Sequence, residues 1–493
     1  METTAGRLSA AGGFDPRTYQ ARPVSRRAAD PLTQRIYPAI CIATLGVLPL
    51  DFFPGLPLYG FYIKLLFITT GISLVFLPKL FPAPKASIFI LSVVGTAYLF
   101  RALILSASLS WSSNPSLGMT MLGIEALSLV LAVPVMIILG QYQLGQLTRI
   151  VLWGALAGAI VFHLFLAFGH LRAGRISILV LLDALASGEF RMIKLQYFVG
   201  GLRGLGVQGV AGVWGSVAPK ITNAFGNAMI TPAVLAFHLA AADKMINGTA
   251  STARRLALWI VVGNAVLVSL FAFSSRVQVY ALVIILGHVY FHGFLGANAR
   301  ARFVILFGTV FGAGAAVLYM LYNIVALGGL ESFIDNFLND PRFNDLYETI
   351  YRVSSSGFLG DGFGTALNLT GATNVFAHNL FMSDLLAGGF LGLAAASGWC
   401  GALVYCSIIA FRIMVDRKLP FPVRRIGAAC MMTIFYNVLL LQLTSRGSLD
   451  LSDCVGLALS LGVLISLIRL AERAKAVASR SPVQDDLPVP AAA

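Results

Sequence analysis

Residues 118–139 read GMTMLGIEALSLVLAVPVMIIL, an apolar run interrupted by a single charged residue, Glu125. About 20 apolar residues let an α-helix cross the hydrocarbon core of a bilayer. Similar runs recur along the 493 residues, which are 58% hydrophobic and 11% charged. Because soluble proteins carry about 25% charged residues, this composition excludes a soluble enzyme, a disordered chain and a fibrous protein. Continuous runs also exclude a transmembrane β-barrel, so the sequence predicts an all-α polytopic membrane protein.

About twelve transmembrane helices are predicted, and an even number places both termini on one side of the membrane. Two long loops lie on the other side, at 171–221 and 325–388, and loops of this length in a compact domain are usually functional. The predicted spans are 36–53, 57–77, 87–108, 118–139, 150–170, 222–241, 255–273, 277–295, 302–324, 389–412, 424–443 and 452–470.

The charge distribution indicates which side is cytoplasmic. The net charge is +14, and most lysines and arginines fall in the two tails and in the short loops on the same side. The opposite loops at 54–56 and 109–117 carry none. The positive-inside rule therefore predicts cytoplasmic tails at 1–35 and 471–493 and two long outer loops. The membrane accounts for the basic charge, and no nucleic-acid partner is predicted.

Several kinds of site have no signature in the sequence. The five cysteines include no CxxC pair and fall in or beside apolar runs, so they are interpreted as small buried residues. No P-loop or dinucleotide fingerprint occurs, which disfavours an energy-coupled pump. No metal and no cofactor are predicted. Asp361 and Asp384 are the nearest candidates for carboxylate chemistry, and each suits a turn or a helix surface equally well.

Three charged residues lie within predicted spans at a similar depth, toward the outer face: Lys64, Arg101 and Glu125. Charges in hydrocarbon usually face a cavity or a partner. One interpretation is a structural cluster of the basic residues with the glutamate, or side chains that extend to the interface. The other is a cationic pocket that opens to the outer leaflet and suits a lipid with an anionic head.

Outer-face residues also have two interpretations. Arg276 follows two serines in a very short outer turn, where a lone arginine is often an interface anchor. Arg342 and Arg352 lie in the second long loop and are either solvated charges or ligands for an anion. His378, in the same loop, is structural or catalytic.

Four sequence blocks together resemble the bacterial O-antigen ligase and polysaccharide polymerase family. They are LSWSSNPSL at 109–117; SSR at 274–276; Arg342 followed eighteen positions later by GDGFG at 360–364; and HNLF at 378–381 followed by GGFLGL at 388–393. Each block alone is weak evidence for the family, but all four occur in the family's order. The charge argument independently places them on the outer side.

The resemblance implies a GT-C-like transmembrane glycosyltransferase domain over 36–470, in the inner membrane of a bacterium and with its active site on the periplasmic face. The donor would be a glycan on polyprenyl (undecaprenyl) pyrophosphate, and the acceptor lipid A core or another lipid-linked repeat. Such reactions build lipopolysaccharide or exopolysaccharide. By resemblance, Arg276 and Arg342 bind the pyrophosphate, and His378 acts as general base or orients it. The remaining predicted substrate-binding residues are Lys64, Arg101, Asn379, Gly360, Gly362, Arg352 and Arg446.

The main competing hypothesis is a transporter or flippase of lipid-linked oligosaccharides. Such a protein would place charges along a path that is reachable from both sides, whereas here the unexplained charges gather at the predicted outer face. A structural membrane scaffold is a third hypothesis, and it leaves the four blocks unexplained.

Overall fold

The computed structural model describes residues 31–50, 56–58, 61–173, 186–187, 217–248, 251–271, 290, 293–294, 299–326, 341–365, 380–438 and 451–480. The regular secondary structure of this part is helical apart from one short antiparallel hairpin. The strands are β1 (Leu56–Leu58) and β2 (Phe61–Ile63). The α-helices are α1 (Tyr37–Val47), α2 (Leu65–Val75), α3 (Lys85–Ser108), α4 (Pro115–Gln141), α5 (Leu144–Ala173), α6 (Val217–Asn247), α7 (Thr252–Phe271), α8 (Ala299–Ala326), α9 (Pro341–Ser355), α10 (Leu380–Val415), α11 (Phe421–Phe435) and α12 (Leu451–Arg480).

Six described helices are long and apolar enough to cross a bilayer. They lie within α3, α4, α5, α6, α10 and α12 and correspond to the third, fourth, fifth, sixth, tenth and twelfth predicted spans. They support the predicted polytopic, all-α membrane protein. The other predicted spans remain predictions, and the eighth, at 277–295, lies almost entirely outside the described residues.

The second predicted span, 57–77, is not one continuous helix, which corrects the sequence prediction. Its first part forms the β1–β2 hairpin, in which Leu56 pairs with Ile63 and Leu58 with Phe61. Lys64 follows in extended backbone, immediately before α2. Pro57 lies in β1, and proline lacks the N–H that a helix interior needs. Lys64 therefore precedes a short apolar helix and does not lie within a continuous spanning helix.

Other boundaries differ because helices continue past the ends of their apolar runs. Helix α12 extends to Arg480, ten residues beyond the predicted end at 470, so the predicted C-terminal tail begins as helix. Helix α10 begins at Leu380 within the predicted loop 325–388, and it breaks at Gly388 and Gly389. The same loop contains α9, Pro341–Ser355.

The bundle is built around α12, the most deeply buried of the six candidate spans. It packs against α4, α11, α6 and α3, while α10 packs against α11 and α3. Close approach of α4 and α12 depends on small residues, as is common between membrane helices. A Cβ atom at Gly462 would lie 2.7 Å from Cβ of Leu139. All five cysteines are buried with free thiols, which confirms their interpretation as small core residues.

The two ends of the bundle differ in charge. Helices α4 and α10 both run toward an end where Arg469 donates to the carbonyl of Gly140 and Lys475 pairs with Asp416 at 2.9 Å. The bond from Lys475 lowers the pKa of the Asp416 carboxyl. We call this the basic end, and the positive-inside rule predicts that it faces the cytoplasm. The opposite end holds the loops described next.

Candidate functional site

The site is organised by residues 356–365, which we call the glycine loop. This loop follows α9 and lies at the end of the bundle where α3 ends and α4 and α10 begin. Its backbone docks on the first part of α10. The N–H of Asp361 donates to the carbonyl of Leu386 at 2.7 Å, and the N–H of Gly362 donates to the carbonyl of Ala387 at 3.0 Å. Because Gly388 and Gly389 break α10, these two carbonyls are free of the regular helical ladder and can accept from the loop.

The other side of the glycine loop is bound to the α3–α4 connection. The N–H of Thr365 donates to Oγ of Ser112 at 2.9 Å, and the N–H of Ser113 donates to Oγ1 of Thr365 at 2.7 Å. Deeper in the protein, the N–H of Phe363 donates to Oγ of Ser108 at 3.2 Å. Asn114 caps α4 by accepting from the N–H of Leu117, which fixes where the connection ends.

Glycine is required where the three segments meet. At Gly362 φ is +84°, and a Cβ atom would lie 2.6 Å from Cα of Ser112. At Gly389 φ is +59° and ψ is −145°, a backbone conformation that residues with a side chain rarely adopt. A Cβ atom at this position would overlap the carbonyl oxygen of Phe358. The glycines of two separate sequence blocks are thus explained by one contact region.

Arg352 joins α9 to the glycine loop. Its Nε lies 2.8 Å from Oε1 of Glu348, one turn earlier, and its Nη1 lies 3.6 Å from Oδ2 of Asp361. The side chain is about a third exposed, so these pairs add little stability. The guanidinium remains partly exposed to solvent at this end of the bundle.

A buried ionic cluster lies beneath the docking region. Nε and Nη2 of Arg101 donate to the two carboxylate oxygens of Asp384 at 2.6 and 2.9 Å, and Nη1 donates to Oε2 of Glu125 at 2.8 Å. None of the three side chains has appreciable exposure. The cluster ties α3 and α4 to α10 one turn before its break. Of the two interpretations of Arg101, the structure supports the ionic cluster with Glu125, because the guanidinium is buried against the carboxylates of Glu125 and Asp384.

The predicted site residues fall into three groups. Gly360, Gly362 and Arg352 lie in one unit made of α9 and the glycine loop, and Gly360 also approaches the Leu386 carbonyl. Lys64 lies outside this unit, on the segment before α2. Arg342 is the second residue of α9, and the structure describes its backbone only. The residues Arg276, His378, Asn379 and Arg446 lie outside the described part of the chain.

Two features of the site were missed by sequence reasoning. Asp384 was considered as a carboxylate but not as the partner of Arg101, which is 283 positions away. Thr365 was not considered, although its side chain contacts both serines of the α3–α4 connection. A single sequence carries no signal for contacts over such separations. The presence of Arg101 and Glu125 at the same predicted depth was the available hint for the first.

A comparison with protein-family models and with curated proteins found no match to this chain.

Proposed function

We propose that this protein is a membrane glycosyltransferase of the O-antigen ligase or polysaccharide polymerase type. It would transfer a glycan from a polyprenyl pyrophosphate to lipid A core or to another lipid-linked repeat, at the periplasmic face of a bacterial inner membrane. The observation that carries the proposal is the meeting of three sequence blocks at one end of the bundle. Residues 109–117, 360–364 and 388–393 are far apart in sequence, and hydrogen bonds and glycine contacts join them.

The remaining block, SSR at 274–276, is predicted on the same outer side of the membrane. Arg276 of that block is predicted in an outer turn, at the end of the bundle opposite the basic end. His378 and Asn379 immediately precede α10, the helix whose first turns receive the glycine loop. We propose that the glycan-binding region built from this loop also includes His378 and two arginines, Arg276 and Arg342.

The proposed chemistry needs cations and a base but no further cofactor. The acceptor hydroxyl oxygen bonds to the anomeric carbon while the bond from that carbon to the pyrophosphate oxygen breaks. Negative charge develops on the pyrophosphate, and Arg276 and Arg342 stabilise it because guanidinium binds phosphate oxygens in a planar fork and stays protonated. His378 accepts the hydroxyl proton. If His378 instead orients the pyrophosphate, the leaving group accepts that proton.

The other residues have supporting roles in this proposal. Arg352 offers a partly exposed guanidinium beside the loop, Gly360 and Gly362 give the loop the shape that receives the glycan, and Asn379 and Arg446 contact the substrate. We now assign Arg101 as a positioning residue, because its guanidinium is occupied by two buried carboxylates. Lys64 remains a predicted contact for the lipid headgroup.

The experiment is a transfer assay with purified protein in lipid nanodiscs. A polyprenyl-pyrophosphate oligosaccharide is the only donor, one reaction includes lipid A core, and products are sized on a gel. A ladder without lipid A core indicates a polymerase, and product that requires lipid A core indicates a ligase. Absence of transfer in both reactions, with the donor intact, would contradict the enzyme and favour the transporter hypothesis.

Single substitutions connect the assay to the site. We expect His378→Ala and Arg276→Ala each to abolish transfer while the protein still inserts and elutes as a single species. Arg417→Ala is the matched control, because Arg417 is an exposed arginine at the basic end. Full activity in a well-folded His378→Ala or Arg276→Ala protein would remove that residue from the proposed mechanism.

A further inference from the structure

Helix α9 carries an apolar stripe on the side that faces away from the protein. Tyr347, Ile350 and Tyr351 are 72%, 53% and 59% exposed. Their spacing of three and four residues places them on one helix face. The opposite face holds Thr349 and Val353, both buried. A helix that lay in water would present polar side chains on its exposed face, so this stripe indicates an apolar environment.

The stripe continues onto a helix that is long enough to span the membrane. Just after α9, the ring of Phe358 stacks on the ring of Phe390, with centroids 5.5 Å apart, and both residues are more than half exposed. Phe390 lies directly after the break in α10 and is followed by exposed Leu391. The exposed face of α9 and the exposed face of α10 are therefore joined by this aromatic pair.

The chemistry of the stripe matches the boundary between lipid and water. Tyrosine combines an apolar ring with a hydroxyl that prefers water, and aromatic residues are enriched at the headgroup level of membranes. Glu348 and Arg352 lie beside the stripe on the same helix and pair with each other, so the polar edge of α9 has its charges balanced. Amphipathic helices of this kind lie in the interface plane, about 5–10 Å into the boundary of headgroups and acyl chains.

We infer that α9 is an interfacial helix whose stripe of Tyr347, Ile350 and Tyr351 is immersed in the bilayer surface, with the Phe358–Phe390 pair at its junction with α10. The partner is the lipid bilayer itself. A consequence is that the glycine loop, which is continuous with α9, is held at the depth of the lipid headgroups. This inference does not depend on the proposed reaction, because it concerns membrane contact in the absence of any substrate.

The test measures depth with a fluorophore. Single variants Tyr347→Cys and Tyr351→Cys are labelled with an environment-sensitive dye, and the full chain is placed in phosphatidylcholine nanodiscs. Quenching by nitroxide lipid, with the nitroxide near the headgroup, is compared with quenching by aqueous iodide. The five native cysteines are buried and should react little with the dye. Their background labelling is measured with the native chain. Lys418→Cys, exposed in the turn at the basic end, is the aqueous reference, and Leu164→Cys on α5 is the lipid reference.

We expect nitroxide lipid to quench the dye at both tyrosine positions several-fold more than at Lys418→Cys, and iodide to show the reverse order. Iodide quenching equal to that at Lys418→Cys would overturn the inference, because the stripe would then lie in water. Protection from both quenchers would also overturn it, since a second copy or another segment of the chain would then cover the stripe. The same result at both probe positions would show that it is not a local effect of one substitution.

Discussion

At the residue scale, the cluster of Arg101, Glu125 and Asp384 is the feature that most needs a physical explanation. A charge inside a membrane span is costly, and this arginine compensates by bidentate pairing with Asp384 and a further bond to Glu125. Buried ion pairs are weak evidence for net stability, because apolar residues often substitute for them well. We therefore interpret the cluster as a device that sets the position of α10 relative to α3 and α4.

Arg101→Leu is expected to destabilise the protein strongly, because it leaves the carboxylates of Asp384 and Glu125 without this guanidinium. Loss of one partner from a buried pair typically costs about 3–5 kcal/mol. The measurement is thermal unfolding in detergent. Lys475→Ala, which removes a pair with an exposed lysine at the basic end, is the control and should cost about 0–1 kcal/mol. Equal effects of the two substitutions would contradict the importance of the buried cluster.

A triple variant separates positioning from stability. Replacing Arg101 with methionine and both Asp384 and Glu125 with leucine removes all three charges together, so much of the stability lost in Arg101→Leu should return. If the cluster positions α10, transfer activity should stay low in this stable variant. Recovery of both stability and full activity would show that the cluster has no positioning role. The measurements are the same unfolding assay and the nanodisc transfer assay.

At the element scale, the break in α10 and the glycine loop form one structure. The break exposes the carbonyls of Leu386 and Ala387, and the loop supplies the N–H groups of Asp361 and Gly362 that pair with them. Each element therefore needs the other, because buried backbone polar groups are costly when unpaired. The α3–α4 connection adds a second set of bonds through Thr365, so the loop is held from both sides.

Gly389→Ala should disrupt this structure selectively. A side chain in such a φ/ψ region costs about 1–3 kcal/mol, and the new Cβ would also overlap the carbonyl of Phe358. We expect reduced transfer activity and faster hydrogen exchange at residues 356–365. Gly398→Ala on the same helix is the matched control, since a Cβ there meets nothing within 4 Å. Similar behaviour of the two variants would contradict the proposed coupling of break and loop.

Thr365→Val should loosen the other side of the loop while keeping the shape of the side chain. The substitution removes the hydroxyl that accepts from the N–H of Ser113 and bonds to Ser112. A net hydrogen bond contributes about 1 kcal/mol, so the local opening free energy should fall by that order. Hydrogen exchange of the loop measures this change. Thr365→Ser retains the hydroxyl and should exchange nearly as slowly as the native chain. Exchange in Thr365→Ser as fast as in Thr365→Val would contradict the role given to the hydroxyl.

At the scale of the whole molecule, the bundle has one basic end and one end built from the three joined sequence blocks. Helices α4 and α10 run from the second end to the first, and the buried helix α12 packs against α4, α11 and α6. The positive-inside rule predicts the orientation of the whole bundle from this asymmetry. The rule thus predicts that the glycine loop is on the outer side, which the proposed reaction requires because its donor lies in the outer leaflet.

The orientation can be measured by cysteine labelling in right-side-out membrane vesicles. We expect an impermeant maleimide to label Ser113→Cys, which is exposed beside the glycine loop, without permeabilisation. Lys418→Cys, exposed at the basic end, should react only after the vesicles are opened. The native chain, whose five cysteines are buried, gives the background. The opposite labelling pattern would reverse the topology and make a periplasmic active site untenable.

The sequence by itself determined the membrane class and the buried state of the cysteines, because these follow from local composition and from the length of apolar runs. It also identified the blocks at 109–117, 360–364 and 388–393 as functional candidates. Helix ends were predicted less accurately than helix positions. Helices α10 and α12 extend beyond their apolar residues, and the residues just before α2 form a hairpin. The orientation predicted from charge awaits its measurement.

Only the tertiary structure decided which of these features act together. The pairing of Arg101 with Asp384, the docking of the glycine loop on the break in α10, and the bonds of Thr365 all join residues far apart in the chain. Such contacts depend on how helices pack, and packing is a property of the whole bundle that local periodicity and composition do not encode. The same packing pairs Arg101 with two buried carboxylates beneath the site, whereas the sequence had suggested a substrate-binding residue.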